Sequence, residues 1–100
     1  MEMIPYDKRS GKIWFNGKAV NWKDAQIHVL NHGLHYASCV FEGERVYDGS
    51  IFKLEEHTSR FFHSARRMGF EIPYSEDEIN TASNSIIKKQ NVDNGYVRPV

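Results

Sequence analysis

Arg60 sits in the run Glu56-His57-Thr58-Ser59-Arg60-Phe61-Phe62-His63-Ser64-Ala65, an arginine set beside aromatic residues. A guanidinium carries five N–H donors in a rigid planar fork, which matches a phosphate and grips it at two points. The plainer reading pairs Arg60 with Glu56 one helical turn back, as exposed arginines commonly do. From the pattern alone the plainer reading leads. Tyr96 and Arg98 are the second candidate, alternating about Val97 in Gly95-Tyr96-Val97-Arg98-Pro99-Val100, so that in a strand they share one face. A tyrosine hydroxyl beside a guanidinium is a carboxylate receptor. The competing reading is a Tyr–Arg stack on a solvated face.

The run from Asn31 to Arg45 mixes histidines, two glycines and aromatics in a way no single helix or strand template explains. Tyr36 and Phe41 are either plain core residues or apolar pocket walls, where burial of a substrate valine or leucine side chain contributes roughly 1.5–3 kcal/mol. Gly43 follows Glu42 where a bulge or a close approach is expected. His28, His32 and His35 are spaced i, i+4, i+7, which would serve zinc on a helix. Gly33 interrupts them and no His-Glu-x-x-His unit is present, so no metal site is expected and His32 and His35 are read as bonding to backbone. Cys39, next to Val40, reads as a buried, inert thiol. Ser38 and Ser64 lack a nucleophile elbow, and no glycine-rich phosphate loop with lysine occurs.

These residues need elements to hold them. One hundred residues allow one small domain. Thirteen basic and thirteen acidic residues cancel, which leaves no global field to draw nucleic acid or an acidic membrane, so neither is an expected partner. No apolar run approaches the roughly 20 residues of a membrane span, and residues 1–9 lack the apolar stretch of a secretory signal. A single cysteine excludes an intrachain disulfide, and a cytoplasmic location is expected. Residues 1–10 read as a flexible arm and 11–100 as the domain. Asn16-Gly17 and Asp48-Gly49 each predict a hairpin turn, the second joining a strand over 39–47 to one over 51–53. Leu54, His57 or Thr58, Phe61, Phe62, Ala65 and Met68 predict a helix ended by Gly69. Ser75-Glu76-Asp77-Glu78 predicts a capping box opening a second helix, with Ile79, Ala82, Ile86 and Ile87 on its buried face. The expected fold is α+β, two helices packed on one antiparallel sheet.

Four segments in order resemble the branched-chain amino-acid aminotransferases, class IV enzymes that use pyridoxal phosphate: Trp14-Phe15-Asn16-Gly17, the His32–Arg45 run, the helix pattern His57-x-x-Arg60-Phe61-x-x-Ser64-Ala65, and Tyr96-Val97-Arg98-Pro99. The resemblance covers nearly the whole chain and implies the small N-terminal domain of that fold. It implies that Arg60 holds the cofactor phosphate and that Tyr96 helps bind the substrate α-carboxylate. By the same likeness Arg98 receives the second carboxylate of glutamate, and Phe41 and Tyr36 line the side-chain pocket, Tyr36 in the partner subunit's site. The implied reaction moves an amino group between leucine, isoleucine or valine and 2-oxoglutarate, in a homodimer or larger oligomer with amino acids and 2-oxo acids as substrates. Related D-amino-acid transaminases and aminodeoxychorismate lyases share the helix arginine but match Leu34-His35-Tyr36 and the final strand less well. A non-catalytic binding module on the same fold is the other alternative. Two positions depart from the family pattern: Ala37 replaces the usual glycine, and Glu44 replaces an apolar residue.

No catalytic residue is assigned within the chain. Transamination needs a Schiff-base lysine, and the seven lysines at 8, 12, 18, 23, 53, 88 and 89 do not match the family's position for it. The sequence also stops inside an apolar strand pattern, which domains seldom do. It is therefore expected to be the N-terminal piece of a longer protein, catalytically silent alone.

Overall fold

The structure, a computed structural model, describes residues 3–100; of the arm expected over 1–10, Met1 and Glu2 lie outside the described residues. Residues Tyr6–Lys8 form one 3-10 turn, and the Trp22 indole N–H donates to the Tyr6 carbonyl.

The Asn16-Gly17 turn joins β1 (Lys12–Phe15) to β2 (Lys18–Asn21), with Phe15 opposite Lys18. Both turn residues have positive φ, 50° and 92°, the requirement of the tight hairpin turn that matches strand twist. Asp48-Gly49 does the same between β3 (Glu44–Tyr47) and β4 (Ser50–Ile51). β5 (Gly95–Val97) pairs with the other edge of β3, with Arg45 opposite Tyr96. The α+β class with antiparallel strands holds, but the strands divide into two sheets, β1-β2 and β4-β3-β5, rather than one. A lone hairpin is marginal in water, and β1 leans on the helical layer instead of the larger sheet. Trp14 packs edge-on against Tyr74 at 5.1 Å, and the Lys12 amide donates to Gln90 Oε1 at 2.6 Å.

β3 begins at Glu44, not at Cys39 as the sequence predicts. Pro99 explains where the ladder stops. The Glu42 amide donates to the Pro99 carbonyl at 3.0 Å, but proline has no N–H to return the bond. Cys39 is exposed, contrary to the expectation of a buried thiol. A short helix that the pattern does not announce, α1 (His32–Tyr36), precedes this segment; the Asn31 side chain caps it by accepting from the Gly33 amide.

α2 (Leu54–Arg67) and α3 (Glu76–Lys89) fall where the period places them. α2 ends with the Phe70 amide on the Ala65 carbonyl and the Gly69 amide on the Arg66 carbonyl, the paired bonds of a left-handed C-terminal stop. Both bonds of the Ser75–Glu78 capping box are present. Phe61 and Ala65 of α2 meet Ile79 and Ile87 of α3 and Val46 of β3 in the core, while Met68 stays half exposed beyond the end of the helix. Thr58 donates to Asn80 across the helix pair, and the buried Ser83 hydroxyl returns to the Ile79 carbonyl. No helix among the described residues is long and apolar enough to cross a membrane.

Candidate functional site

The segment Phe41-Glu42-Gly43-Glu44 builds the site, because alternation along an extended chain sends its side chains to opposite faces. Glu42 and Glu44 turn inward with Val46 and are buried; Phe41 and Arg45 turn outward.

On the inner side, Glu42 receives two bonds from Arg60 of α2, Nε to Oε2 at 2.8 Å and Nη2 to Oε1 at 2.7 Å. The His57 ring, one turn earlier on the same helix face, donates from Nδ1 to Oε1 at 2.6 Å. The Arg60 bonds hold the Glu42 carboxyl below its ordinary range, against the upward push of burial, with His57 adding to them. Glu42 in return holds the proton on Arg60 more firmly. The expected alternative partner, Glu56, lies 3.4 Å from Lys53 instead. Glu42 is 3 % exposed and Arg60 66 %. The arrangement is a buried carboxylate fixing the orientation of a guanidinium whose remaining N–H groups face outward. Two of five donors are spent, so three are free for an external anion. They open on a surface groove shared with Ser59, His63 and Arg66, and with Glu55 and Glu56 at its acidic end.

On the outer side, Arg98 Nη2 donates to the Tyr96 hydroxyl at 2.7 Å. The Arg98 guanidinium lies 4.3 Å from the centre of the Phe41 ring and 5.4 Å from that of Tyr96. The Tyr96 ring passes directly over Gly43, where a Cβ would collide with it. Gly43 is thus the close approach read from the sequence, and it lets Tyr96 lie flat on the strand. The three residues form an aromatic and cationic face suited to a carboxylate joined to an apolar group.

Phe41, Tyr96 and Arg98 therefore meet on the outer side, whereas Arg60 bonds to Glu42 on the inner side and faces a groove lined by α2 residues alone. Tyr36 is in neither place: it is exposed on α1, with its ring 4.5 Å from His32 and 6.4 Å from His35. His35 donates to the Val29 carbonyl at 2.6 Å, as expected of a histidine bonding to backbone, whereas His32 stacks on Tyr36. His28 Nδ1 accepts from the Leu30 amide. The sequence reading missed Glu42, His57 and Glu44 as site residues. The signal was there: two acids at i and i+2 preceding Val46 place a pair of carboxyls on an apolar face, which demands counter-charges from whatever packs on it.

A family model for amino-transferase class IV matches residues 39–100. Over 100 residues the chain is 47 % identical to a probable branched-chain-amino-acid aminotransferase of Rickettsia felis, covering all of this chain and 34 % of that protein. It is 48 % identical over 96 residues to the branched-chain-amino-acid aminotransferase of Pseudomonas aeruginosa, covering 92 % of this chain and 31 % of the other. The crystal structure of the branched-chain amino acid aminotransferase of Escherichia coli matches it with a TM-score of 0.85 at 40 % identity, over 90 % of this chain and 31 % of that one. A further branched-chain amino acid aminotransferase, solved in complex with N-(5'-phosphopyridoxyl)-L-glutamate, matches with the same TM-score at 37 % identity, over 90 % of this chain and 32 % of the other. The chain spans about a third of the length of the curated relatives it matches.

Proposed function

The chain belongs to the class IV amino-transferase family, and we propose that residues 11–100 are the small N-terminal domain of a pyridoxal-phosphate enzyme that moves the amino group between leucine, isoleucine or valine and 2-oxoglutarate. The observation that carries the reading is the Arg60 fork, oriented from behind by Glu42 and His57 and open in front. Its three remaining donors fit a phosphate.

When bound, pyridoxal phosphate supplies the electron-accepting ring that transamination requires. Arg60 would hold its phosphate, with Glu42 keeping the fork from swinging. Tyr96 helps receive the α-carboxylate of the amino acid, and Arg98 serves the second carboxylate when glutamate is the donor. Phe41 supports the Arg98 guanidinium and gives the same pocket an apolar wall, so one site serves both acidic and branched side chains. Tyr36 completes that wall in the partner subunit of a cytoplasmic homodimer. The lysine amine that would hold the cofactor and move the α-proton is assigned to a second domain of the full protein, because the lysines of this chain do not match the position that the family likeness implies for it.

Replacing Arg60 by alanine in the full protein is expected to weaken pyridoxal-phosphate binding about 10- to 100-fold, the effect of losing charge-assisted bonds to the phosphate. Titration followed by visible absorbance measures it. An Arg60→Ala variant that binds as tightly as wild type refutes the assignment.

A further inference from the structure

Among the described residues, Glu44 alone buries side-chain oxygens that have no hydrogen-bond partner. It is 0 % exposed. It shares the inner face of the strand with Glu42 and Val46, and Val97 of β5 lies opposite it in the ladder. The charged groups acting on it are His57 from α2, which favours its carboxylate, and Glu42 from its own segment, which opposes it. Burial outweighs both and pushes its carboxyl up to about 7. The uncharged Asn80 is what α3 turns toward this end of α2, bonded to Thr58.

His57 donates to Glu42 and lies within electrostatic reach of Glu44. Glu42 in turn orients Arg60. A charge appearing on Glu44 repels that of Glu42 and so adds to the negative potential behind Arg60. An anion arriving in front of Arg60 opposes that charge by Coulomb repulsion. The two events must then disfavour each other equally in both directions.

We propose that Glu44 is a positioning residue that couples phosphate binding at Arg60 to proton retention by its own buried carboxyl, so that the phosphate is held best while Glu44 keeps its proton. The proposal rests on Arg60 being the phosphate anchor.

The test titrates the full protein, stripped of cofactor, with pyridoxal 5'-phosphate between pH 6 and pH 8, in wild type, Glu44→Gln, Glu44→Leu and Arg60→Ala. Calorimetry in two buffers of different ionisation enthalpy also counts the protons taken up on binding. The probe's own phosphate titrates in this range, so the quantity to follow is the ratio of wild-type to Glu44-variant affinity at each pH. That ratio is expected to fall about twofold or more from pH 6 to pH 8, the size of a charge acting on an anion held by an exposed, solvent-screened guanidinium. Wild type should take up a fraction of a proton near pH 7 that both variants lose. The Gln and Leu variants differ in polarity, so a folding defect in one leaves the other to decide. A ratio that stays flat, with the same proton uptake in all three proteins, overturns the proposal. If Arg60→Ala weakens binding while the ratio is flat, the proposal alone fails; if Arg60→Ala binds normally, the phosphate assignment fails and takes the proposal with it.

Discussion

Arg60 was visible in the sequence as a residue with chemical capacity, but its partner was not. The local rule offers Glu56 at i−4, and the fold chooses Glu42, eighteen positions away. The reason is energetic. Glu42 is buried and must be paired, because an isolated buried carboxylate is far costlier than an exposed one. Glu56 is exposed and gains little from any pairing. Glu44 shows the same physics left unresolved. Its carboxyl titrates at 4.5 ordinarily and near 7 in the fold. Between those values the unfolded chain has lost the proton that the folded chain keeps, so stability contributed by this group falls as pH rises through the window and is fully lost above 7. The loss amounts to about 3 kcal/mol. Glu44→Leu removes it. Urea unfolding of the chain should therefore favour the variant over wild type by about 2 kcal/mol more at pH 8 than at pH 5; an advantage independent of pH would show that Glu44 does not titrate as described.

At the scale of elements, what was legible is what is encoded locally. The 3.6-residue period over 54–68, the capping box at Ser75 and the two hairpin dipeptides each specify a backbone geometry without reference to the rest of the chain, and each appears in place. The division into two sheets and the start of β3 were not legible, because they depend on which strands meet and on Pro99 lying opposite Glu42. Ala37 falls between these cases. It was legible only as a departure from the glycine that the resemblance implies. Ala37 closes α1 in the left-handed region at φ 55°, where a Cβ crowds the carbonyl and costs roughly 1–2 kcal/mol. Glycine avoids the crowding but loses more backbone freedom on folding, about 0.5–1 kcal/mol. The balance favours Ala37→Gly by up to about 1.5 kcal/mol, with thermal melting of the chain as the measurement. A melting temperature lowered by the glycine would mean that α1 is not held in this conformation in solution.

At the scale of the molecule, the segment from Ile27 to Phe41 is ordered by polar bonds while its apolar residues point away from the core. The Leu30 amide donates to His28, Asn31 caps α1, and His35 donates to the Val29 carbonyl. Yet Ile27, Val29, Leu30, Leu34, Tyr36 and Phe41 are each more than half exposed. A chain that spends hydrogen bonds to present apolar side chains to water has an interaction surface; covering one leucine fully contributes roughly 1.5–3 kcal/mol to whatever covers it. The proposed homodimer gives that surface its occupant, and it accounts for Tyr36 standing apart from Phe41, Tyr96 and Arg98 within one chain. Leu30 and Leu34 are the residues to test, because they are 73 % and 62 % exposed and so should tolerate charge without unfolding the domain. Leu30→Asp combined with Leu34→Asp in the full protein is expected to halve the mass measured by light scattering while leaving the circular dichroism spectrum unchanged. Activity should fall with it, since Tyr36 would no longer reach a partner's pocket. A double variant that keeps the wild-type mass would remove this face from the interface and return Tyr36 to being a surface aromatic of its own subunit.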